Sequence, residues 1–273
     1  DHIIELLSRE LDRPVQHVEN IVTLLDEGNT VPFIARYRKE LHGAMDDQLI
    51  RQLADRLQYL RNLQDRRDEV RQSIENQGKL TDELSAAIDA AATLAEVEDL
   101  YRPYKQKRRT RAAMAKEKGL EPLALLAFAQ GPAVDMAGAA QDYIDPEKGV
   151  ETVQDALQGA SDIIAELISD DAGVRGMLRE LYWRRAAITS RAAAKDAEDS
   201  VYRLYYEFSS PLSKTQGHQI LAINRGEREE ILKAGVEMDR ETALVALRRR
   251  LVPGRAAMEF VKAAAEDAYD RLI

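Results

Sequence analysis

A long run of residues between Asp46 and Gln77 most strongly limits the folds open to this chain. Its apolar residues fall three or four positions apart, which is the spacing of one face of an α-helix. These residues are Ile50, Leu53, Leu57, Leu60, Leu63, Val70 and Ile74. Arginines alternate with acidic residues between them, as on a solvated helix surface. We therefore predict one long helix that starts at Asp46 or Asp47 and stops before Gly78.

The rest of the sequence predicts shorter helices. Three of them precede the long one, broken at Asp12–Pro14 and at Gly28, with Thr30 as an N-cap. They are compatible with a helix-turn-helix-like unit and equally with ordinary helical packing. Residues Glu230 to Met238 are the best candidate for a strand. The predicted fold class is all-α, with a long central helix, smaller helical subdomains and at most one or two short strands.

The apolar pattern thins between residues 188 and 200, where alanine, lysine and aspartate predominate. Such a stretch is typical of a boundary or an exposed connection. We therefore predict a helical region over residues 1–190 and a mostly helical connecting region over residues 191–273.

Composition restricts the class of protein. Hydrophobic residues make up 45% of the 273 and charged residues 32%, a balance typical of folded helical proteins. The chain has no cysteine, which excludes disulfides, thiol catalysis and cysteine-ligated zinc and favours a reducing cytoplasm. The longest apolar run, Leu123 to Ala129, is far shorter than the roughly 20 residues of a membrane-spanning helix. We expect no membrane association.

Known catalytic motifs are absent from the sequence. It has no phosphate-binding glycine loop, no dinucleotide-binding glycine pattern, no zinc-protease motif and no calcium loop. Its histidines, His2, His17, His42 and His218, are isolated from one another, so we predict neither a metal site nor a cofactor. The acid pairs Asp46–Asp47 and Asp170–Asp171 are interpreted as helix caps. The chain is predicted not to be an enzyme.

One segment stands out in a chain of net charge -9. Eight Lys or Arg and a single acidic residue lie between Tyr101 and Leu120, and we call Arg102 to Lys118 the basic island. Lysine and arginine neutralise phosphates, and a tyrosine ring can stack on an unpaired base. Alternatively, these cations form ion pairs with Glu96, Glu98 and Asp99 or pack against acidic helices of a larger assembly. Tyr101 and Tyr104 would then lie in the core. The candidate nucleic-acid-binding residues are Arg102, Lys105, Lys107, Arg108, Arg109 and Arg111.

Two other segments combine aromatic residues with cations. Val31 to Glu40 offers a secondary contact through Arg36, Arg38 and Lys39, but the favoured interpretation is a buried helix start whose Arg36 bonds inside the protein. Tyr182 to Arg185 holds the lone Trp183, interpreted as a core anchor, with an interface as the alternative.

Four ordered segments resemble the Tex family of bacterial transcription accessory proteins. The first is LLDEGNTVPFIARYRKE at Leu24–Glu40, and the second runs from EDLY at Glu98 to LEPL ending at Leu123. The others are DPEKGV at Asp145–Val150 and ILAINRGE at Ile220–Glu227. Within the second segment, Arg102 and Gln106 stand where the family pattern leads us to expect leucine and proline, which makes the island more basic and less rigid.

The resemblance implies a cytoplasmic bacterial protein in transcription and RNA metabolism, related to a eukaryotic elongation factor. Residues 1–190 would be the family's N-terminal helical region, and 191–273 would lead to a ribonuclease-H-like domain. That domain, helix-hairpin-helix elements and an RNA-binding OB-fold would lie beyond Ile273, so the chain is expected to be a fragment. RNA or DNA would then be bound mainly by these domains.

The resemblance therefore implies a non-enzymatic scaffold with sequence-independent nucleic-acid contact through the basic island. The alternative is a protein-interaction module that docks on the transcription machinery. The sequence predicts no particular oligomeric state.

Overall fold

The computed structural model describes residues 2–129, 133–194, 200–252 and 257–273. Within these ranges the chain forms fifteen α-helices and three short strands, so the predicted mostly helical class is confirmed. The residues divide into two compact units, Asp1–Tyr101 and Arg102–Ile273. The expected boundary at residue 190 differs from this division and falls inside a strand of the second unit.

The first unit is built around the long helix. The predicted helix is confirmed as α5, and the Asp46 carboxylate caps it by accepting a hydrogen bond from the Leu49 amide at 2.8 Å. Its predicted apolar face is buried, with no member more than 5% exposed. The helices of this unit are α1 (His2–Leu11), α2 (Val15–Asp26), α3 (Val31–Tyr37), α4 (Lys39–His42), α5 (Asp47–Asn76), α6 (Asp82–Ala90) and α7 (Leu94–Tyr101). A helix-turn-helix role for the first helices stays a prediction.

Two bidentate ion pairs join α5 to the helices before it. Arg56 donates to both carboxylate oxygens of Glu10 at 2.7 Å, and Arg61 donates to those of Asp26 at 2.7 and 2.9 Å. The hydrogen bonds from these arginines lower the pKa of Glu10 and of Asp26 below their usual values. A carboxyl whose pKa is lowered by folding stabilises the protein above its unfolded pKa and loses that contribution as pH falls through its folded pKa.

We expect the double variant Glu10→Gln, Asp26→Asn to lose only about 0.2–1 kcal/mol per pair at neutral pH, because both pairs are solvent-exposed. The deficit relative to the parent protein should shrink as pH falls below about 4 and vanish only below the lowered folded pKa values of Glu10 and Asp26, where the parent's own carboxylates are protonated. Urea unfolding at several pH values measures it. A deficit that stays constant into acid would contradict the assignment.

The second unit packs its helices around α11. They are α8 (Arg111–Glu117), α9 (Glu121–Phe128), α10 (Met136–Gln141), α11 (Val153–Asp170), α12 (Ala172–Arg185), α13 (Gly217–Arg228), α14 (Arg240–Leu251) and α15 (Met258–Arg271). Helix α11 starts in a capping box, in which the Thr152 hydroxyl accepts from the Asp155 amide and the Asp155 carboxylate accepts from the Thr152 amide. Ile163 and Ile164 of α11 are fully buried between its neighbours.

A small antiparallel sheet also lies in the second unit. Its strands are β1 (Ala187–Ala192), β2 (Glu207–Pro211) and β3 (Leu232–Glu237), in the order β2-β1-β3. The predicted strand at residues 230–238 is confirmed as β3, but three strands are present where at most two were expected. The connection expected at 188–200 is partly β1, and residues 195–199 of it lie outside the described ranges. Ser190 of β1 is buried and donates to the Tyr205 carbonyl at 2.5 Å, a contact that periodicity cannot reveal.

None of the helices in the described ranges is both long and apolar enough to cross a membrane.

Candidate nucleic-acid interface

The basic island lies in the second unit, as a 3-10 turn at Arg102–Tyr104, a loop and helix α8. The Thr110 hydroxyl caps α8 by accepting a hydrogen bond from the Ala113 amide at 3.0 Å. Ala112 and Ala115 are buried in the core of the unit. Burial of this small-residue face leaves the cations of the loop and of α8 toward the surface.

The island has an inner pair of cations that are neutralised within the protein. Arg102 Nε donates to Asp170 Oδ1 at 3.0 Å, and Lys107 Nζ donates to the other oxygen of the same carboxylate. Glu166 Oε1 lies 3.8 Å from Lys107 Nζ. The Asp170 side chain is only 12% exposed and lies at the C-terminal end of α11, where the helix dipole also favours cations. Arg102 and Lys107 therefore hold the loop against α11.

Asp170 is the acid that pairs with Arg102 and Lys107, and it lies far along the chain from Glu96, Glu98 and Asp99. Glu98 accepts from Arg66 at 2.6 Å, and Glu96 accepts from the Ala92 amide. The interpretation of the Asp170–Asp171 pair as helix caps is correct for Asp171, which accepts from the Val174 amide at 2.7 Å, and wrong for Asp170. A cap depends on residues three positions away, whereas the partners of Asp170 lie more than sixty positions earlier in the chain.

The outer cations of the island face solvent. Arg108 is exposed and has neither an ion pair nor a hydrogen bond to any residue that the structure describes. Arg109 lies 3.0 Å from Glu117, but the two side chains are 70% and 63% exposed, so the pair contributes little. Lys105, Arg108, Arg109 and Lys116 line an open groove of about 680 Å³ whose other side includes Glu166 and Asp170.

Arg111 is separated from this groove. It lines a smaller neighbouring one together with Lys118, Asp155 and Asp162. The structure thus divides the six predicted binding residues: Lys105, Arg108 and Arg109 share the rim of the main groove, Arg102 and Lys107 are paired with Asp170, and Arg111 lies apart. Lys116, which the prediction left out, joins the rim.

The tyrosines flanking the island are partly buried. Tyr101 belongs to the first unit, where its hydroxyl lies 2.9 Å from the Ser73 hydroxyl and the Arg66 guanidinium lies 5.4 Å from its ring centre. These contacts hold Tyr101 inside its own unit. The combination of island cations with stacking tyrosines, as the sequence suggested it, is therefore not supported for Tyr101.

The prediction of a buried helix start at Val31–Glu40 is wrong. Phe33 is 41% exposed and Tyr37 61% exposed, and Arg36 is exposed rather than bonded inside the protein. Helix α3 has only seven residues, all described, and Ile34 is the one of them that is buried. A helix of about two turns buries only one narrow face, so the rings of Phe33 and Tyr37 and the Arg36 side chain stay exposed.

Trp183 is also not the core anchor that the sequence suggested, because it is 56% exposed. The neighbouring Tyr182 is partly buried, and its hydroxyl lies 2.5 Å from that of Tyr269. Burial, and next the hydrogen bond with Tyr182, raises the pKa of Tyr269. Tyr182 rather than Trp183 therefore packs toward the interior of the unit, and the buried residues of α12 are Val174 and Leu178.

Among the described residues, no group of three or more His, Asp or Glu is placed to hold a metal ion. His42 is fully buried, and both of its ring nitrogens form hydrogen bonds with backbone groups. The Met45 amide donates to its Nδ1 at 3.0 Å, so its Nε2 carries the hydrogen and donates to the Ile34 carbonyl, also at 3.0 Å.

Two family profiles match the chain. One, described as Tex-like protein N-terminal domain, covers residues 1–75, and the other, described as Tex central region-like, covers residues 131–271. The chain belongs to the Tex family. The resemblance seen in the sequence is thereby confirmed, and the basic island lies between the two matched Tex regions.

The chain also matches named relatives over most of its own length, one of which carries the Tex name. Protein YdcI of Bacillus subtilis is 44% identical over 272 residues, or 98% of this chain and 38% of its own length. Transcriptional accessory protein Tex of Neisseria gonorrhoeae is 43% identical over 86% of this chain and 31% of its own length. S1 RNA-binding domain-containing protein 1 of Homo sapiens is 31% identical over 86% of this chain and 24% of its own length. The chain thus spans well under half the length of these relatives.

Proposed function

We propose that this Tex-family chain is a non-enzymatic scaffold that acts in transcription and RNA metabolism in the cytoplasm. It contacts the phosphates of RNA or DNA, without sequence preference, through Lys105, Arg108, Arg109 and Lys116. The names of relatives support the setting, since one is a transcriptional accessory protein and another an RNA-binding domain-containing protein.

The observation that carries the proposal is that the cations of the island form two sets. Arg102 and Lys107 pair with Asp170, whereas the rim cations line the open groove. Asp170 fixes the loop through Arg102 and Lys107, so Lys105, Arg108 and Arg109 are presented from an anchored loop, and Lys116 is presented from helix α8. Arg108 has no intramolecular partner among the described residues, and Arg109 has only a solvent-screened one. Cations presented in this way can neutralise phosphates and release their counterions.

A variant with alanine at Lys105, Arg108, Arg109 and Lys116 should bind a labelled single-stranded or duplex oligonucleotide at least about tenfold more weakly at low salt. The slope of log affinity against log salt concentration should also fall by about 0.7–0.9 for each phosphate that the variant no longer neutralises. Fluorescence anisotropy titrations at several salt concentrations measure both quantities.

The matched control replaces four exposed cations elsewhere, Lys79, Lys214, Lys233 and Arg249, and so removes the same charge. Equal affinity of the rim variant and the control variant would refute the role of the island.

An alternative function is docking on a protein of the transcription machinery. The half-exposed Trp183 favours it, because tryptophan is enriched at the centres of protein interfaces. Pull-down with and without nuclease separates the two functions, since an association bridged by nucleic acid disappears after nuclease treatment.

A further inference from the structure

Helix α3 presents two aromatic rings to solvent in the first unit. Phe33 and Tyr37 are one helical turn apart, with ring centres 5.3 Å from each other and ring planes inclined by 45°. Aromatic side chains usually bury much of their surface, so an exposed pair on one face indicates a binding surface. We call Phe33, Arg36, Tyr37 and Lys39 the α3 platform.

A buried side chain and backbone hydrogen bonds hold the helix that carries the α3 platform. Ile34 is fully buried, and its carbonyl accepts hydrogen bonds from the Arg38 amide at 3.1 Å and from His42 Nε2 at 3.0 Å. Pro32 stiffens the first turn of the helix, and the Thr30 hydroxyl accepts from the Phe33 amide. The backbone that carries the two rings is therefore already ordered before any ligand binds, which lowers the entropic cost of binding.

The charge around the rings is positive. Arg36 and Lys39 are exposed, and neither has an ion-pair partner within the described ranges. Arg38 lies 3.8 Å from Glu40, but the two side chains are 45% and 63% exposed, so this pair offsets little of the charge. Aromatic faces bordered by unpaired cations complement a ligand that has flat rings and anionic links between them.

We propose that the α3 platform binds single-stranded nucleic acid. An unpaired base stacks on Tyr37, the more exposed ring, and meets the inclined ring of Phe33 at its edge, while Arg36 and Lys39 contact the phosphates on either side of the base. A duplex is a poorer ligand because its base faces are already stacked on each other. A partner protein is disfavoured because the exposed apolar surface of α3 consists of two rings among cations, without an aliphatic groove.

This site goes beyond the function proposed for the island, since it lies in the other unit and requires a base as well as a phosphate. The two can therefore fail separately. Loss of the island's phosphate binding would reduce affinity for any polyanion, whereas loss of the platform would reduce affinity only for strands with unpaired bases.

The test compares the whole chain with Phe33→Ala, Tyr37→Ala and Tyr37→Phe variants by anisotropy titration. The probes are a fluorescein-labelled oligouridine, an abasic strand of the same length, and a blunt duplex. Each alanine variant should bind oligouridine about fivefold to a hundredfold more weakly than the parent protein, and Tyr37→Phe should bind within about twofold of it. Affinity for the abasic strand should be unchanged in all three variants.

Two further variants complete the design. Arg36→Ala combined with Lys39→Ala should lower the salt slope for oligouridine by about 1.4, because each phosphate of a single strand that is no longer neutralised accounts for about 0.7. Leu221→Ala removes an exposed apolar side chain from the second unit and should leave oligouridine binding unchanged. Far-UV circular dichroism of every variant verifies folding.

Three results would overturn the proposal. One is parent-like binding of oligouridine by the Phe33 and Tyr37 alanine variants. Another is an equal loss of affinity for the abasic strand, which would assign the effect to phosphates alone. The third is a lower oligomeric state of the Phe33 or Tyr37 alanine variant than of the parent protein in light scattering, with oligouridine binding intact, which would assign the surface to protein contact.

Discussion

Replacement of His42 by alanine should lower the free energy of unfolding by about 3–5 kcal/mol. The imidazole is fully buried and joins the Ile34 carbonyl of α3 to the Met45 amide that precedes α5. Its removal leaves a cavity, an acceptor without one of its donors and a donor without its acceptor. Urea unfolding followed by far-UV circular dichroism measures the loss.

Two control variants make the His42→Ala result interpretable. His218 is exposed, and His218→Ala should change stability by less than about 0.5 kcal/mol. His42→Gln offers an amide donor and an amide acceptor at a similar reach and should recover part of the lost stability. If His42→Ala lowered the free energy of unfolding no more than His218→Ala does, the stabilising role of the two His42 hydrogen bonds would be refuted.

The second large effect is expected at Gly159 in α11. A Cβ atom at this position would lie 2.3 Å from Leu120 Cδ1 and 3.3 Å from Ala115 Cβ, and both of these residues are buried. Gly159→Leu must therefore push α8 and the start of α9 away from α11, at a cost of about 1–3 kcal/mol or more. Thermal unfolding should show a clearly lower midpoint.

Gly176 in α12 is the matched control, because a Cβ atom there would meet nothing within 4 Å. Gly176→Ala should stabilise the protein by about 0.5–1 kcal/mol, since glycine in a helix interior costs that much relative to alanine. Opposite signs at the two glycines test the close packing of α8 on α11. Stabilisation by Gly159→Leu would contradict it.

The helices were predictable because their information is local. The apolar spacing along α5 and the caps at Asp46 and Thr30 each depend on residues within one or two turns. The strands β1 and β2 were not, because the pairing of Ile188 with Ser210 and with Val236 joins segments far apart in sequence. The central strand β1 and the edge strand β2 are short and contain small polar residues, so their alternation is too weak to predict such pairing.

The sequence predicted the cluster of positive charge at the candidate site, but it did not predict how the cations are arranged. Clustered lysines and arginines are visible in the sequence, but the choice between an inner pair and an outer rim depends on Asp170, which arrives from the end of α11. The exposure of Phe33 and Tyr37 was missed for a related reason. Only the packing of Ile34 decides which face of a short helix turns inward.

The exposed position of Trp183 gives the protein a natural optical probe. It is the one tryptophan of the sequence and lies in the second unit, so tryptophan emission comes from that unit without a contribution from the first. Because the indole is 56% exposed, a soluble collisional quencher can reach it in the native state. A ligand or partner that covers α12 would therefore reveal itself by protecting this emission from the quencher, without any label attached to the protein.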